Sequence, residues 1–398
     1  MILGVLLARN EWPLLGLCIT HALTNHVDEL LVIDHSSTDE TPVALASLKM
    51  FWGEKLKVAK LASGTLHLEE LNLLTLNIVN RDKYSWSYHV DADEFLFVSG
   101  GKSLKSVLSS VPHTYSTVRY SLLNFVAPSD FNRKDLDRYQ EIVYRAQIDK
   151  FGSQSRKQAI DSMSKFKSTF FDMPFTPKVI YRSDSKFWAR AGTHTFVESH
   201  TDYPLDQDVI FAAHLPFVSF DQLIRRADHG KEVRDAGYAP SFAWQSQMIQ
   251  SFRESGQLER FWNAHSVNQS PLQDIDTAHP TVVIDERLSK ILIAAVKNLK
   301  ISLAQENSKS EENPYVDIES VTLSTAMDLV HQMKDYKDLM ISRCNLEIRN
   351  LKMESARLRK EADAANTRYA KMQLSLSWRI TKPARMLIRF LSRIFRIG

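Results

Sequence analysis

The chain has 398 residues, a net charge of +3, 44% hydrophobic and 24% charged residues. That length exceeds what one compact domain usually needs, the apolar content suits a buried core, and the near balance of charge excludes the global signature of a nucleic-acid binder. Two cysteines, Cys18 and Cys344, lie far apart without metal-ligand spacing, which argues against a disulfide framework or a zinc site and favours a reducing compartment.

The opening MILGVLLARNEWP is too short to cross a bilayer and lacks a basic leader and a small-residue cleavage site, so it reads as a first strand. No later run is long and apolar enough for a membrane span, and the expectation is a cytoplasmic protein that can touch a membrane surface. Chain order then alternates. WPLLGLCITHALTN has helical periodicity, DELLVIDHSSTDET is a strand entering a polar turn, and Ser, Thr and Asp residues there cap a helix from Pro42 to Trp52. KLKVAKL is a third strand, HLEELNLLTLNIVNRDK an amphipathic helix and SWSYHVDADEFLFV a fourth strand. This order predicts an α/β fold, a mixed but mostly parallel sheet with helices on both faces.

Residues 128–170 are polar and read as an excursion or lid, helical around DLDRYQEIVYRAQI. PKVIYRSDSKFWARAGTHTFVESH reads as strands, and DVIFAAHLPFVSFDQLIRRADHGKEV as a strand followed by a helix starting near Ser219 or Asp221. Short helices follow over 238–310, then a charged linker, AQENSKSEENP. Beyond Met333, Ile341, Ile348, Ser355, Ala362 and Tyr369 form one heptad set and Cys344, Leu351, Leu358, Ala365 and Met372 the other, a coiled-coil pattern that points to a homo-oligomer, with a single packed helix as the alternative. In the final SLSWRITKPARMLIRFLSRIFRIG, Leu387, Phe390, Leu391 and Ile394 share one helical face, beside Arg385, Arg389, Arg393 and Arg396, and no acid occurs. A basic amphipathic helix of this kind suits an anionic membrane surface; docking on its own protein is the alternative.

In open α/β sheets, ligands bind beyond the carboxyl ends of the strands. Arg9, Asn10 and Glu11, then Asp34, His35, Ser36 and Ser37, then Asp91, Asp93 and Glu94 all fall at such ends. Neither G-x-G-x-x-G after the first strand nor G-x-x-x-x-G-K-[ST] occurs, so no glycine-rich phosphate loop is expected. The pair in D91-A-D93 offers hard oxygen ligands for Mg²⁺ or Mn²⁺.

ARNEWPLL after the first strand, IDHSSTDET after the second, DADEF, GTHTF and HLPFVSFDQLIRRADHG occur in the order found in family 2-like glycosyltransferases with the GT-A fold, and over residues 1–235 the chain resembles that family, in particular its bacterial cell-surface polysaccharide enzymes. SLSWRITKPAR likewise resembles a tail of polysaccharide-pathway transferases. The resemblance implies a GT-A, Rossmann-like domain over 1–235; beyond it the residue patterns divide the chain into a helical extension and linker over 236–330, a coiled coil over 331–373 and a basic tail over 374–398. It implies a nucleotide-sugar donor, a glycan or lipid-linked acceptor and inversion at the sugar carbon, and the basic tail would hold such an enzyme at the inner face of the cell membrane. Asp93 would hold the metal, with Asp91 at the metal or ribose, Asp34 at the base or ribose, and Arg9, Glu11 and Ser36 in the nucleotide pocket. His214 or His194 would add a metal ligand, and Arg225 or Lys231 would offset diphosphate charge. The family's usual Glu-Asp base motif is absent in its normal form; Glu198, ahead of Asp206 and Asp208, is the expected general base. Two other readings are a nucleotidyltransferase, which also uses paired aspartates and a metal, and a non-catalytic coiled-coil scaffold with a degenerate transferase domain.

Overall fold

The computed structural model describes residues 1–61, 83–147, 156–173, 175, 177–183, 201–205, 209–238, 243–267, 277–304, 354–369, 371 and 376–394. The sequence helix over 67–83 therefore lies almost wholly outside the described residues, as do 184–200 and the linker. The chain divides into one unit of Met1–Thr322 and a second of Leu323–Gly398.

The first unit is a mixed α/β fold. β1 (Ile2–Ala8), α1 (Leu14–Asn25), β2 (Glu29–His35), α2 (Thr41–Trp52), β3 (Leu56–Leu61) and β4 (Trp86–Val90) open the chain. β1 pairs in parallel with both β2 and β4, and β2 in parallel with β3. Every residue of β4 is buried, as are Leu3, Val5 and Leu6 of β1, as expected for central parallel strands covered on both faces. The parallel arrangement brings the carboxyl ends of β1, β2 and β4 to a common rim.

β5 (Glu94–Val98), α3 (Leu104–Ser109), β6 (Thr117–Val126), β7 (Tyr144–Ala146), α4 (Arg156–Ser164), β8 (Lys178–Arg182), β9 (Asp202–Tyr203) and β10 (Ile210–His214) follow. The unit continues with α5 (Phe220–Asp235), α6 (Trp244–Glu254), α7 (Leu258–Ala264), β11 (Val282–Ile284) and α8 (Arg287–Ala304). The strand order is β11-β7-β6-β8-β4-β1-β2-β3, with β10 bridging β5 and β6, and β9 beside β6. Pairing turns largely antiparallel beyond β4: β4 with β8, β6 with β8 and β7, and β5 with β10.

Two local features differ from the sequence reading. The single strand expected over SWSYHVDADEFLFV is two strands, because the backbone turns at Asp91–Asp93, where Glu94 N–H donates to the Asp91 carbonyl at 3.0 Å. The helix expected around 135–148 is a single 3-10 stretch, Leu136–Glu141, followed by β7, whose residues pair with β6 and β11. α5 begins where the sequence placed it: Ser219 is the N-cap and its Oγ accepts from Gln222 N–H at 3.4 Å. α5 and α6 meet at Gly230, where a Cβ would stand 2.1 Å from the Ser246 carbonyl oxygen, so only glycine permits this approach.

In the second unit, residues 354–369 and Leu376–Ile394 are helical. Within the heptad set, Leu358 and Tyr369 are exposed on the isolated chain. No described helix is long and apolar enough to cross a membrane.

Candidate active site

The rim is built by two loops held to each other. Asn10 and Ser36 both adopt left-handed backbone, with φ of 59° and 52°. Asn10 tolerates this conformation better than most residues, and its side chain repays it locally: Oδ1 accepts Thr38 N–H at 2.7 Å and Asp39 N–H at 3.2 Å, while Asn10 N–H donates to Ser37 Oγ at 2.9 Å. Asp34 is fully buried, and its Oδ1 accepts Ser37 N–H at 3.0 Å. Arg225 of α5 reaches back to this pair of loops, donating to the Asn10 carbonyl at 3.1 Å and pairing with Asp39 at 3.3 Å and Asp221 at 2.9 Å. Buried Arg133 donates to Asp221 at 2.7 Å and to the Trp12 carbonyl at 2.6 Å, tying α5 to the β1 loop. Arg9 pairs with Glu232 of α5 at 2.8 Å.

At the β4–β5 turn, the three carboxylates separate. Asp91 pairs with Lys178 of β8, which also donates to Glu94 Oε1 at 2.6 Å. Lys178 and Glu94 are both buried, whereas the Asp91 side chain is about half exposed. Asp93 Oδ2 accepts from Arg226 of α5 at 3.0 Å and stands 3.8 Å from His214 Nε2. Asp93, Glu94 and His214 each offer a ligand atom, all within 4.8 Å of one another.

The sheet register explains this convergence. His214 of β10 is the paired position of both Glu94 on antiparallel β5 and Asn124 on parallel β6. Directly paired residues project to the same face of a sheet, so the three side chains stand in a row. Asn124 is buried, and its Oδ1 accepts a hydrogen bond from His214 Nδ1–H at 2.7 Å. That bond assigns the imidazole proton to Nδ1 and leaves the Nε2 lone pair toward Asp93 and Glu94.

The electrostatics follow from burial. It pushes the Glu94 carboxyl up to about 8, reinforced by Asp91 and Asp93 and opposed by Lys178. Loss of water around the Asp91 carboxylate would raise it despite its partial exposure, but the Lys178 ammonium outweighs this and holds Asp91 below its ordinary value. Burial would lower Lys178, yet Asp91 and Glu94 keep it firmly protonated. Glu11 rises to about 7 through burial, with Arg226 opposing and Asp93 reinforcing. Burial lowers His214 to about 4, so its imidazole is neutral at pH 7.

These residues fit a divalent cation. Glu94 Oε2 is buried with no hydrogen-bond partner among the described residues. The 3.8 Å between Asp93 and His214 is too long for a hydrogen bond, but a cation about 2.1 Å from each atom spans it. Two carboxylates suit Mg²⁺ or Mn²⁺, and the imidazole nitrogen shifts the preference to Mn²⁺.

The geometry thus gathers Asp93 and His214, with Glu94 as the third member and Asp91 turned to Lys178. Glu11 and Arg226 lie beside them, while Arg9, Asp34, Ser36 and Arg225 belong to the loop layer. His194 and Glu198, with Asp206 and Asp208, lie outside the described residues. Sequence reasoning passed over Lys178, Arg226 and Asn124 as site residues. The available signal for Lys178 was a charged residue opening an apolar strand, KVIYR; for Asn124 it was an amide inside the apolar run LLNFV.

No family model matches the chain, and no curated protein matches it. Among solved structures, S. aureus TarS residues 1–349 in complex with UDP aligns at 14% identity and a TM-score of 0.32, covering 67% of this chain and 72% of that one. The WbbM bifunctional glycosyltransferase aligns at 10% identity and 0.24, over 46% of this chain and 31% of that one. A putative glucose-1-phosphate thymidylyltransferase from Bacillus anthracis, in complex with a sucrose, aligns at 8% and 0.25, over 79% and 98%. At these scores the overlaps carry no inference about activity.

Proposed function

We propose that this chain is a metal-dependent glycosyltransferase that moves a sugar from a nucleoside-diphosphate donor to a glycan or lipid-linked acceptor in cell-surface polysaccharide synthesis, with inversion at the sugar carbon. The observation that carries the reading is the convergence of Asp93, Glu94 and His214 beyond the carboxyl ends of the strands, with an arginine beside them. The order of the rim motifs, ARNE, DHSS and DADEF, supports the substrate class through the family resemblance.

Asp93, Glu94 and His214 would hold Mn²⁺ or Mg²⁺, which when bound supplies a Lewis acid for the negative charge that develops on a departing nucleoside diphosphate. Asn124 keeps His214 in the tautomer that can serve as a ligand. Arg226, which pairs with Asp93, brings a second positive charge to the place where phosphates would lie. Arg225, bonded to the Asn10 carbonyl and Asp39, braces the loops of Asp34 and Ser36, the proposed nucleotide layer with Arg9 and Glu11. Asp91 would serve the ribose or the metal. Glu198 remains the proposed base that takes the acceptor hydroxyl proton, and His194 a proposed further ligand. The heptad segment would join copies of the chain, and the site would work on the cytoplasmic face of the cell membrane.

The test is calorimetry of nucleoside diphosphates with and without Mn²⁺, followed by a screen of nucleotide sugars for metal-dependent hydrolysis. Binding that requires Mn²⁺, and hydrolysis abolished by Asp93→Ala, is the expected result. No diphosphate binding with Mn²⁺ present would end the transferase reading; hydrolysis retained by Asp93→Ala would remove that residue from the site.

A further inference from the structure

The helix Leu376–Ile394 has two opposed faces. Ile380, Ala384, Leu387 and Leu391 are spaced by four, three and four residues, so they fall on one stripe. Ile380, Leu387 and Leu391 are 70%, 59% and 42% exposed, and Met386 and Ile388 beside them are exposed too. Lys382, Arg385 and Arg389, spaced by three and four, form a second stripe offset from the first by two residues, or about 200° around the helix. Lys382 and Arg389 are exposed, and Arg385 is half-buried with a hydrogen bond to Thr381 Oγ1. The helical stretch at 354–369 is built otherwise: acids and bases are interspersed along it, and Arg357 pairs with Glu361 at 3.6 Å.

We propose that the helix Leu376–Ile394 lies in the plane of an anionic phospholipid bilayer, its apolar stripe among the acyl chains and its basic stripe at the lipid phosphates. Two features select this occupant. The apolar stripe is continuous over three turns, and the opposite face carries positive charge with no acid from residue 374 to the end of the chain. A second copy of the helix would cover the apolar stripe but leave the basic stripe on the far side unmatched, whereas an anionic lipid surface complements both. The 19 residues span about 28 Å, nearly the thickness of a hydrocarbon core. Crossing that core would bury Lys382, Arg385 and Arg389, so the helix lies along the interface and not through it. This inference does not depend on the transferase reading, since no residue of the rim takes part.

Co-sedimentation of the full chain with vesicles tests it. The protein is expected to pellet with mixed phosphatidylcholine–phosphatidylglycerol vesicles, to be released by high salt, and to bind phosphatidylcholine alone at least about tenfold more weakly. Leu387→Gln with Leu391→Gln removes binding to the mixed vesicles. Lys382→Gln with Arg389→Gln leaves the apolar stripe intact and lowers binding to the mixed vesicles toward the phosphatidylcholine level. Protein that stays in the supernatant, or that binds both vesicle types equally, overturns the proposal. So does a leucine variant that pellets like the parent, or one that lowers the mass measured by light scattering without lipid, which would make a second copy the occupant.

Discussion

Lys178→Met removes the cation that pairs with both Asp91 and Glu94. Lys178 Nζ lies 2.6 Å from Glu94 Oε1, and at an effective dielectric of about 20 that pair would be worth ~6 kcal/mol in Coulomb terms with both groups charged. Two facts reduce the loss. Asp91 is about half exposed and can rehydrate, and Glu94, already pushed up to about 8, can hold its proton at pH 7. The expected loss at pH 7 is about 3 kcal/mol, the lower end of what breaking a buried pair costs. The pH dependence is sharper. The folded pKa of Glu94 lies above its ordinary 4.5, so the folded state holds the extra proton between about 4.5 and 8, and this contribution to stability falls as pH rises through that window. Without Lys178 the folded pKa moves higher still, the window extends upward, and the variant loses more at pH 9 than at pH 7. Urea unfolding with a chelator present, followed by tryptophan fluorescence, measures both. A loss below about 1 kcal/mol at pH 7, or one that does not grow at pH 9, refutes the reasoning.

Two further outcomes follow from the site and the core. Asn124→Leu frees the His214 imidazole to exchange its proton between nitrogens, and Mn²⁺ affinity, read by electron paramagnetic resonance of the free ion, is expected to drop about ten- to a hundred-fold; unchanged affinity would show that Asn124 does not position the ligand. His265 is buried, donates from Nδ1 to the Phe261 carbonyl at 2.7 Å and accepts Phe170 N–H on Nε2 at 2.8 Å, and burial lowers it from 6.5 to about 4. Its stabilising effect is present above pH 6.5 and is lost as pH falls to about 4, up to roughly 3 kcal/mol. Thermal midpoints measured across that range should fall less steeply in His265→Asn; an unchanged slope would exonerate this residue from acid unfolding.

The parallel half of the fold was legible because its central strands are covered on both faces, which leaves apolar runs in the sequence, unbroken in β1 and in the LLVI of β2, and the polar residues that end those runs marked the rim. The turn at Asp91–Asp93 was not legible: DADEFLFV continues the apolar pattern of SWSYHV, and only the ladder of Glu94–Val98 with Ile210–His214 shows that a second strand has begun. The stretch DLDRYQEIVYRAQI failed differently, since its spacing satisfies a helix while β6 and β11 offer Tyr144–Ala146 a ladder on both sides. Lys178 and Asn124 escaped because local pattern says only that a strand is apolar; what a lone polar residue within it faces depends on strands brought in from elsewhere. Arg226 could not be told from its neighbour Arg225 by sequence, yet one position of helical rotation separates a loop brace from a partner of Asp93.

The row Glu94–His214–Asn124 has a bearing on how the site can be gained or lost. Its three members come from chain positions far apart and are brought into line by backbone bonds between β5, β10 and β6, after which the Asn124–His214 bond sets the imidazole. A one-residue slip of β10 turns His214 to the opposite face of the sheet while leaving every amino acid unchanged. An insertion within Ile210–Ala213 can therefore erase the cluster as completely as deleting the histidine, whereas changes in the loops that leave the ladder in phase preserve it. Comparison of homologous chains by residue identity alone would miss the first kind of loss, and strand length between Phe211 and His214 is the quantity to read.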